Sequence, residues 1–256
     1  MTLDIQLLPL LTDNYAYLLR DSATGTVGVV DPSEAAPVLA RLEELGWTLN
    51  YILNTHHHPD HSGGNLGLKA ATGAKVVGPF NDQARIPGID IALKDGDTFA
   101  LGQSIGMAID IPGHTAGHMA LWFAADKAVF SGDTLFALGC GRMFEGNAAM
   151  MWASLSRLRQ LPPDTRVFCG HEYTQANARF ALSVDPDNAI LQARAAAIDR
   201  LRAEGKPTIP STLAEEALTN PFLRADDADL ALRLGLTGTA PAQVFGHLRA
   251  AKDNFR

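Results

Sequence analysis

Six residues, His56-His57-His58-Pro59-Asp60-His61, hold four of the chain's eight histidines and one aspartate. Before them, Tyr51-Ile52-Leu53-Asn54 is a short apolar run of the kind that forms a buried strand. After them, Ser62-Gly63-Gly64-Asn65 leads into a helix. The cluster is therefore expected on a loop at the C-terminal end of a strand, where α/β proteins commonly gather ligands. Imidazole and carboxylate donors suit zinc, iron or manganese better than calcium or magnesium. A solvated histidine loop is the simpler alternative. It loses ground as further ligands are found at equivalent places.

The chain up to residue 172 reads as strands and helices in alternation. Ile5–Leu8, Tyr15–Leu19 and Val27–Val30 are strands separated by turns, the last ending at Asp31-Pro32. Ser33 is the expected N-cap of a helix that stops at Gly46. A helix over Asn65–Thr72 and a strand at Lys75–Val77 follow, and Pro79–Gly96 is too rich in turn residues to assign. Ile105–Ile111, Met119–Phe123, Ala128–Ser131 and Arg166–Cys169 are further strands, with a helix over Ala148–Leu161. Beyond 172 the pattern is helical. Asp185 with Pro186 is expected to start one helix, with Ile190, Ala193, Arg194, Ala197 and Leu201 on one face. Ser211 or Thr212, with Glu215, starts the next, and Ala228–Leu234 and Pro241–Ala251 give two more.

Four of these strands end in metal-ligand residues: the first cluster, His114, Asp133 and His171. Loops at one edge of a sheet can converge, so four such endings point to one site. Seven ligands suit two metals. His56 and His58 alternate and can face one ion, with His114 completing that site. Asp60, His61 and His171 suit the second, and Asp133 can bridge. Three or four protein ligands with an open position is the catalytic pattern, not the closed structural one. Two ions about 3.5–4 Å apart can hold a hydroxide at neutral pH, which makes hydrolysis the expected reaction class. His57 should point away, His118 should be structural or support a ligand, and His247 should lie on the surface. Cys140 and Cys169 are expected as buried apolar groups rather than nucleophiles.

The pattern His-x-His-x-Asp-His, followed by His114, Asp133 and His171, is similar to the metallo-β-lactamase superfamily over roughly residues 1–172. That resemblance implies an αββα sandwich in a mixed α/β (α+β) chain, with a dinuclear site at one edge. Three other segments look like the glyoxalase II family, the hydroxyacylglutathione hydrolases: Gly139–Gly146, Gly170–Thr174 and Leu248–Phe255. This second resemblance covers essentially the whole chain. It implies a catalytic domain at 1–172, a smaller all-α glutathione-binding domain at 173–256, and hydrolysis of S-D-lactoylglutathione to glutathione and D-lactate. It also implies two divalent metal ions, zinc first, with iron or manganese served by the same ligands. Asp60 and Asp133 take catalytic as well as ligand roles. Arg142, Tyr173, Arg249 and Lys252 match positions that hold glutathione, whose two carboxylates suit such cations. Phe144 departs from a family tyrosine and can offer only an apolar wall. The alternative within the fold is a mononuclear iron glutathione persulfide dioxygenase, whose members resemble this chain around the first motif but lack the same helical tail.

Composition restricts the partners. The net charge is −7, and residues 1–172 carry 11 basic and 18 acidic side chains against ten of each in the remainder. No basic stripe is present, so no nucleic-acid partner is expected. No apolar run is long enough to span a bilayer and the N-terminus does not read as a signal peptide, so no membrane partner is expected either. Two cysteines make no disulfide framework. A cytoplasmic monomer acting on a small-molecule glutathione thioester is the resulting expectation.

Overall fold

Val27-Gly28-Val29-Val30 is buried at every position, which is the signature of a strand covered on both faces. A computed structural model describes residues 3–255 of the chain. It divides into two compact units, Met1–Asp110 with Ala116–Gly132, and Ile111–Thr115 with Asp133–Arg256.

The first unit carries β1 (Leu3–Leu10), β2 (Asn14–Asp21), β3 (Val27–Val30), α1 (Ala35–Leu45), β4 (Leu49–Leu53), the single turn α2 (Pro59–Ser62), α3 (Asn65–Thr72), β5 (Lys75–Pro79), β6 (Ile89–Leu93), β7 (Thr98–Leu101), β8 (Ser104–Asp110), β9 (Met119–Phe123) and β10 (Ala128–Gly132). Strands β1 to β6 form one sheet in sequence order, antiparallel from β1 to β3 and parallel from β3 to β6. Strands β7 to β10 form an antiparallel meander. One face of the first sheet buries Leu18, Val27, Val29, Ile52 and Val76 against Val38 and Leu42 of α1 and Leu68 of α3. Aromatic residues fill the opposite face: Tyr17 meets Phe130 at 5.5 Å, and Tyr51 meets Phe99 edge-on at 4.8 Å. The sequential strands and parallel crossovers leave β3 and β4 central, so the loops after them are held from both sides.

The second unit carries the short hairpin β11 (Leu135–Phe136) and β12 (Gly139–Cys140), then α4 (Ala148–Arg159), β13 (Arg166–Cys169), α5 (Thr174–Val184), α6 (Ala189–Ala203), β14 (Ser211–Thr212), α7 (Leu213–Thr219), α8 (Ala228–Arg233) and α9 (Pro241–Asp253). Leu138 packs with Ala178 and Ala181 of α5 and with Leu191, Ala195 and Ile198 of α6. Phe222 lies between Phe180 and Phe245, at 5.7 and 6.0 Å.

Several local expectations are corrected. Ser33 does not cap α1: its hydroxyl donates to the Asp60 carbonyl at 2.5 Å, and Glu34 takes the cap position without a side-chain bond. The unassigned stretch contains β6, which its parallel partner β5 stabilises despite the surrounding turn residues. Asp185 follows α5, a helix the sequence did not announce, and Asn188 caps α6 by accepting from Leu191 N at 3.0 Å. Asp185 is instead taken by Arg224 and by Asn188 Nδ2. The buried face of α6 is Leu191, Ala195 and Ile198, while Ile190 is 53% exposed. An Ala-rich helix has a weak apolar contrast, so its orientation is set by its neighbours. The Thr212–Glu215 capping box stands as read.

Candidate metal centre

The first ligand group begins where β4 ends. Asn54 donates from Nδ2 to the His61 carbonyl at 2.9 Å, and Asn65 donates to Asn54 Oδ1 at 2.6 Å. These buried amides close the loop on itself. Pro59 starts α2, so His58 stands just outside the helix with Asp60 and His61 in its first turn. Gly63 and Gly64 are required by close approach, not by an unusual dihedral. A Cβ on Gly63 would lie 2.7 Å from the Ser33 carbonyl, and one on Gly64 would lie 2.8 Å from that of Pro32. The helix can thus rest on the turn after β3.

That turn supplies a residue whose role the sequence reading missed. Asp31 is buried and accepts from Thr55 N at 2.8 Å and from Thr55 Oγ1 at 2.7 Å, and its Oδ2 lies 3.2 Å from His61 Nδ1. The only sequence signal was its place at the end of an apolar strand. Asn14 adds a second support, donating from Nδ2 to the carbonyl and the carboxylate of Asp60 at 3.0 and 3.2 Å. His56 Nδ1 lies 3.0 Å from Thr55 Oγ1. The opposite ring atoms, the Nε2 atoms of His56 and His61, face other side chains of the group. His56 Nε2 lies 3.1 Å from His58 Nδ1, and His61 Nε2 lies 3.5 Å from Asp60 Oδ2.

The second ligand group lies in the other unit. His114 donates from Nδ1 to the Arg142 carbonyl at 2.9 Å, which leaves Nε2 facing Asp133 Oδ2 at 3.4 Å. His171 Nε2 lies 3.3 Å from the same oxygen. All three side chains are buried. Asp133 is thus placed between two imidazoles.

These separations test the fit of a metal. Two donors on one tetrahedral zinc, each at about 2.0–2.1 Å, stand about 3.3–3.4 Å apart. The pairs within each group lie at 3.1, 3.3, 3.4 and 3.5 Å. Such spacing fits shared coordination, and the Nδ1 atoms of His56, His61 and His114 are held by Thr55, Asp31 and the Arg142 carbonyl, which is how proteins orient histidine ligands.

The remaining histidines behave as expected. His57 turns away to Asp82, 2.9 Å from its Oδ2. His118 is fully buried and stacks on His56 with centroids 4.6 Å apart. His247 is exposed on α9. Both thiols are buried, which pushes Cys140 up to about 11 and Cys169 up to about 12.

The residues expected to meet substrate are all in the second unit. Tyr173 stacks on His171, 4.6 Å away and nearly parallel, with Phe136 edge-on to both rings. Phe144 is exposed, with its ring 5.1 Å from His114. Arg142 is exposed, with Nε 3.6 Å from Asp253. Lys252 is half-buried and donates to the Ala176 carbonyl at 3.1 Å. Burial first, and then the charges of Arg249, Arg179 and Arg142, push its ammonium below the usual lysine range. Arg249 is only 5% exposed, donating from Nη1 to the Cys140 carbonyl at 2.8 Å and from Nη2 to Asp253 at 2.8 Å. Asp253 offsets part of this positive charge by pairing with both Arg142 and Arg249.

Comparison with known proteins finds relatives for both parts of the chain. Residues 11–171 match the metallo-β-lactamase superfamily, and residues 172–255 match the hydroxyacylglutathione hydrolase C-terminus. A hydroxyacylglutathione hydrolase of Methylococcus capsulatus is 56% identical over 254 residues, covering 99% of each chain. Among solved structures, ETHE1 from Myxococcus xanthus is similar with a TM-score of 0.72 and 26% identity, covering 99% of this chain and 92% of that one. TTHA1623 in a di-iron-bound form is similar with a TM-score of 0.61 and 28% identity, covering 86% of this chain and all of that one. A metallo-β-lactamase domain followed by a helical domain of this particular kind, matched end to end at such identity, places the chain in the hydroxyacylglutathione hydrolase family.

Proposed function

We propose that the chain hydrolyses S-D-lactoylglutathione and related 2-hydroxyacyl glutathione thioesters to glutathione and D-lactate, the second step of methylglyoxal detoxification. The observation that carries this reading is the full-length relationship to a hydroxyacylglutathione hydrolase, which includes the C-terminal region. That region also favours it over a persulfide dioxygenase, because the match at residues 172–255 is to a hydrolase-specific segment.

His56, His58 and His114 would hold one divalent ion and Asp60, His61 and His171 the other, with Asp133 bridging. When bound, such a pair supplies Lewis acidity and brings the pKa of water toward ~7. Zinc is the first choice, and a size measurement is expected to give a monomer. Asp60, the partly exposed carboxylate of the set, would accept a hydrogen bond from the attacking water. Water adds its oxygen to the acyl carbon and the C–S bond breaks with its electron pair on sulfur; one of the water's protons ends on that sulfur to give glutathione and the other passes to solvent, leaving D-lactate. Arg142, Arg249 and Lys252 hold the glutathione carboxylates, and Tyr173, fixed by its stack on His171, offers its hydroxyl. The domains are read as catalytic at 1–172 and glutathione-binding at 173–256. Two buried cysteines, neither of them in a disulfide, suit the reducing cytoplasm, and among the described residues no helix is long and apolar enough to cross a membrane.

The test is steady-state hydrolysis of S-D-lactoylglutathione and its acyl analogues, with metal content measured on the same sample. One iron per chain with oxygen uptake on glutathione persulfide, and no thioester hydrolysis, would replace this reading by the dioxygenase. Substrate contacts are tested by Arg142→Glu and Lys252→Glu. Both are expected to raise KM far more than they lower kcat; an unchanged KM removes them from the glutathione site. Arg249 is a poorer probe, because its buried bond to Cys140 would be lost as well.

A further inference from the structure

Asp133 and the Arg142 carbonyl are the two ends of one short segment. Asp133 lies between His114 and His171, and the Arg142 carbonyl accepts the Nδ1 proton of His114. The segment doubles back on itself, with Gly141 N donating to the Thr134 carbonyl at 3.2 Å. A Cβ on Gly141 would lie 1.8 Å from the Asp133 carbonyl and 3.2 Å from His114 Nδ1, so the two ends are pressed together. The hairpin of β11 and β12 pairs the stems of the turn between them, and its tip at Ala137-Leu138 is held from outside.

Polar side chains from later in the chain do that work. Glu216 of α7 is fully buried, and its Oε2 accepts from Leu138 N at 2.8 Å and from Asn220 Nδ2 at 3.0 Å. Its other oxygen is paired with Arg194. Asn220 Nδ2 also reaches the carbonyls of Phe136 and Gly139, at 3.2 and 3.0 Å. Asn177 of α5 donates to the Ala137 carbonyl at 3.1 Å. Leu138 holds a left-handed φ of 56°, a conformation costly for leucine unless its surroundings enforce it. A carboxylate buried without water is kept only where several donors satisfy it, and here one of those donors is the backbone of the strained residue.

Resting on the dinuclear reading above, we propose that Glu216 is a positioning residue for the metal centre. Its carboxylate, with Asn220, fixes the Leu135–Cys140 turn and so sets Asp133 against His114. The C-terminal helices thereby act on the metal ligands themselves and do more than bind glutathione.

The test compares Glu216→Ala with Arg194→Met in the full-length metal-loaded protein. The readouts are the rate of metal release into excess chelator, metal equivalents after dialysis, and Tm. Arg194→Met removes the ion pair but leaves the bonds of Glu216 to Leu138 and Asn220, so Tm should fall while metal release stays near wild type. Glu216→Ala should fall in Tm and also release metal about 10-fold faster or more, the usual scale when a group orienting a ligand is lost. In the same variant kcat should fall with little change in KM. If Glu216→Ala does not fold, Glu216→Gln takes its place. It keeps the shape but has one acceptor oxygen for three donors, and it should release metal faster than Arg194→Met. Metal release at the wild-type rate in the folded Glu216 variant overturns the proposal. A wild-type chain that binds no metal refutes the dinuclear reading instead, and thioester specificity enters neither measurement.

Discussion

Asp31→Asn tests how the first ligand group is held. The substitution changes one oxygen into an amide nitrogen and little else. Asp31 has a positive φ of 48°, which asparagine tolerates at least as well as aspartate, so the backbone is not perturbed. The amide oxygen can still accept from Thr55 N, now at 2.8 Å from Oδ1. The amide nitrogen then faces Thr55 Oγ1 and His61 Nδ1, at the places where Oδ2 lies 2.7 and 3.2 Å away. The threonine hydroxyl can rotate to accept. The imidazole cannot present Nδ1–H to another N–H donor, so His61 is driven to the tautomer with its proton on Nε2. That proton blocks the atom turned toward Asp60. Losing a partner of this kind costs about 10–100-fold in metal affinity, or about 1.4–2.7 kcal/mol. The assay is competition of wild type and variant against a chelator of known affinity, with metal equivalents counted at each point. Asp31→Asn should keep a near-wild-type far-ultraviolet spectrum and lose its more weakly held ion first. Wild-type metal affinity in the folded variant would show that His61 is oriented by something other than Asp31.

Two further outcomes follow from buried groups away from the ligands. Burial alone would raise the pKa of Asp21, but bonds from Gln103 N, Thr24, Ala23 N and Ser104 outweigh it and hold the carboxyl below its ordinary value of 3.8. Its stabilising contribution is therefore complete above pH 3.8 and is lost as pH falls through the lowered value. Asp21→Asn should cost about 1–3 kcal/mol in denaturant melts at neutral pH and flatten the stability profile below pH 4; an unaltered acid profile would refute the assignment. Cys140 and Cys169, with thiols pushed up to about 11 and about 12, should resist alkylation at pH 8 until the chain is unfolded. Rapid labelling of the native protein at both positions would contradict their burial.

How much of this was legible in the residues differs from element to element. The strands ending at Asp31, Asn54 and Cys169 were readable because alternation and continuous apolar runs persist whatever packs against them. Helix α5 was not, because Thr174–Val184 lies between a ligand strand and an Asp-Pro pair that imitates a helix start. The choice between Asp185 and Asn188 as a cap was made by Arg224, 39 residues further on. The face of α6 was misjudged by one position because alanine contributes so little contrast.

The sequence by itself determined the chemistry. Donor type, spacing and the alternation of the proposed ligands through His56–His61 follow from covalent order, and so does the turn of His57 away from them toward Asp82. The tertiary structure decided how those donors are aimed. Asp31 on His61, the Arg142 carbonyl on His114, and Glu216 on the turn after Asp133 join residues 30, 28 and 78 positions apart. No local pattern encodes such pairs, because a buried acceptor is chosen by where the folded backbone brings a donor. The same reason explains Arg249. Its charge was plain in the sequence, but its burial against Cys140 became visible only once α9 was packed in place.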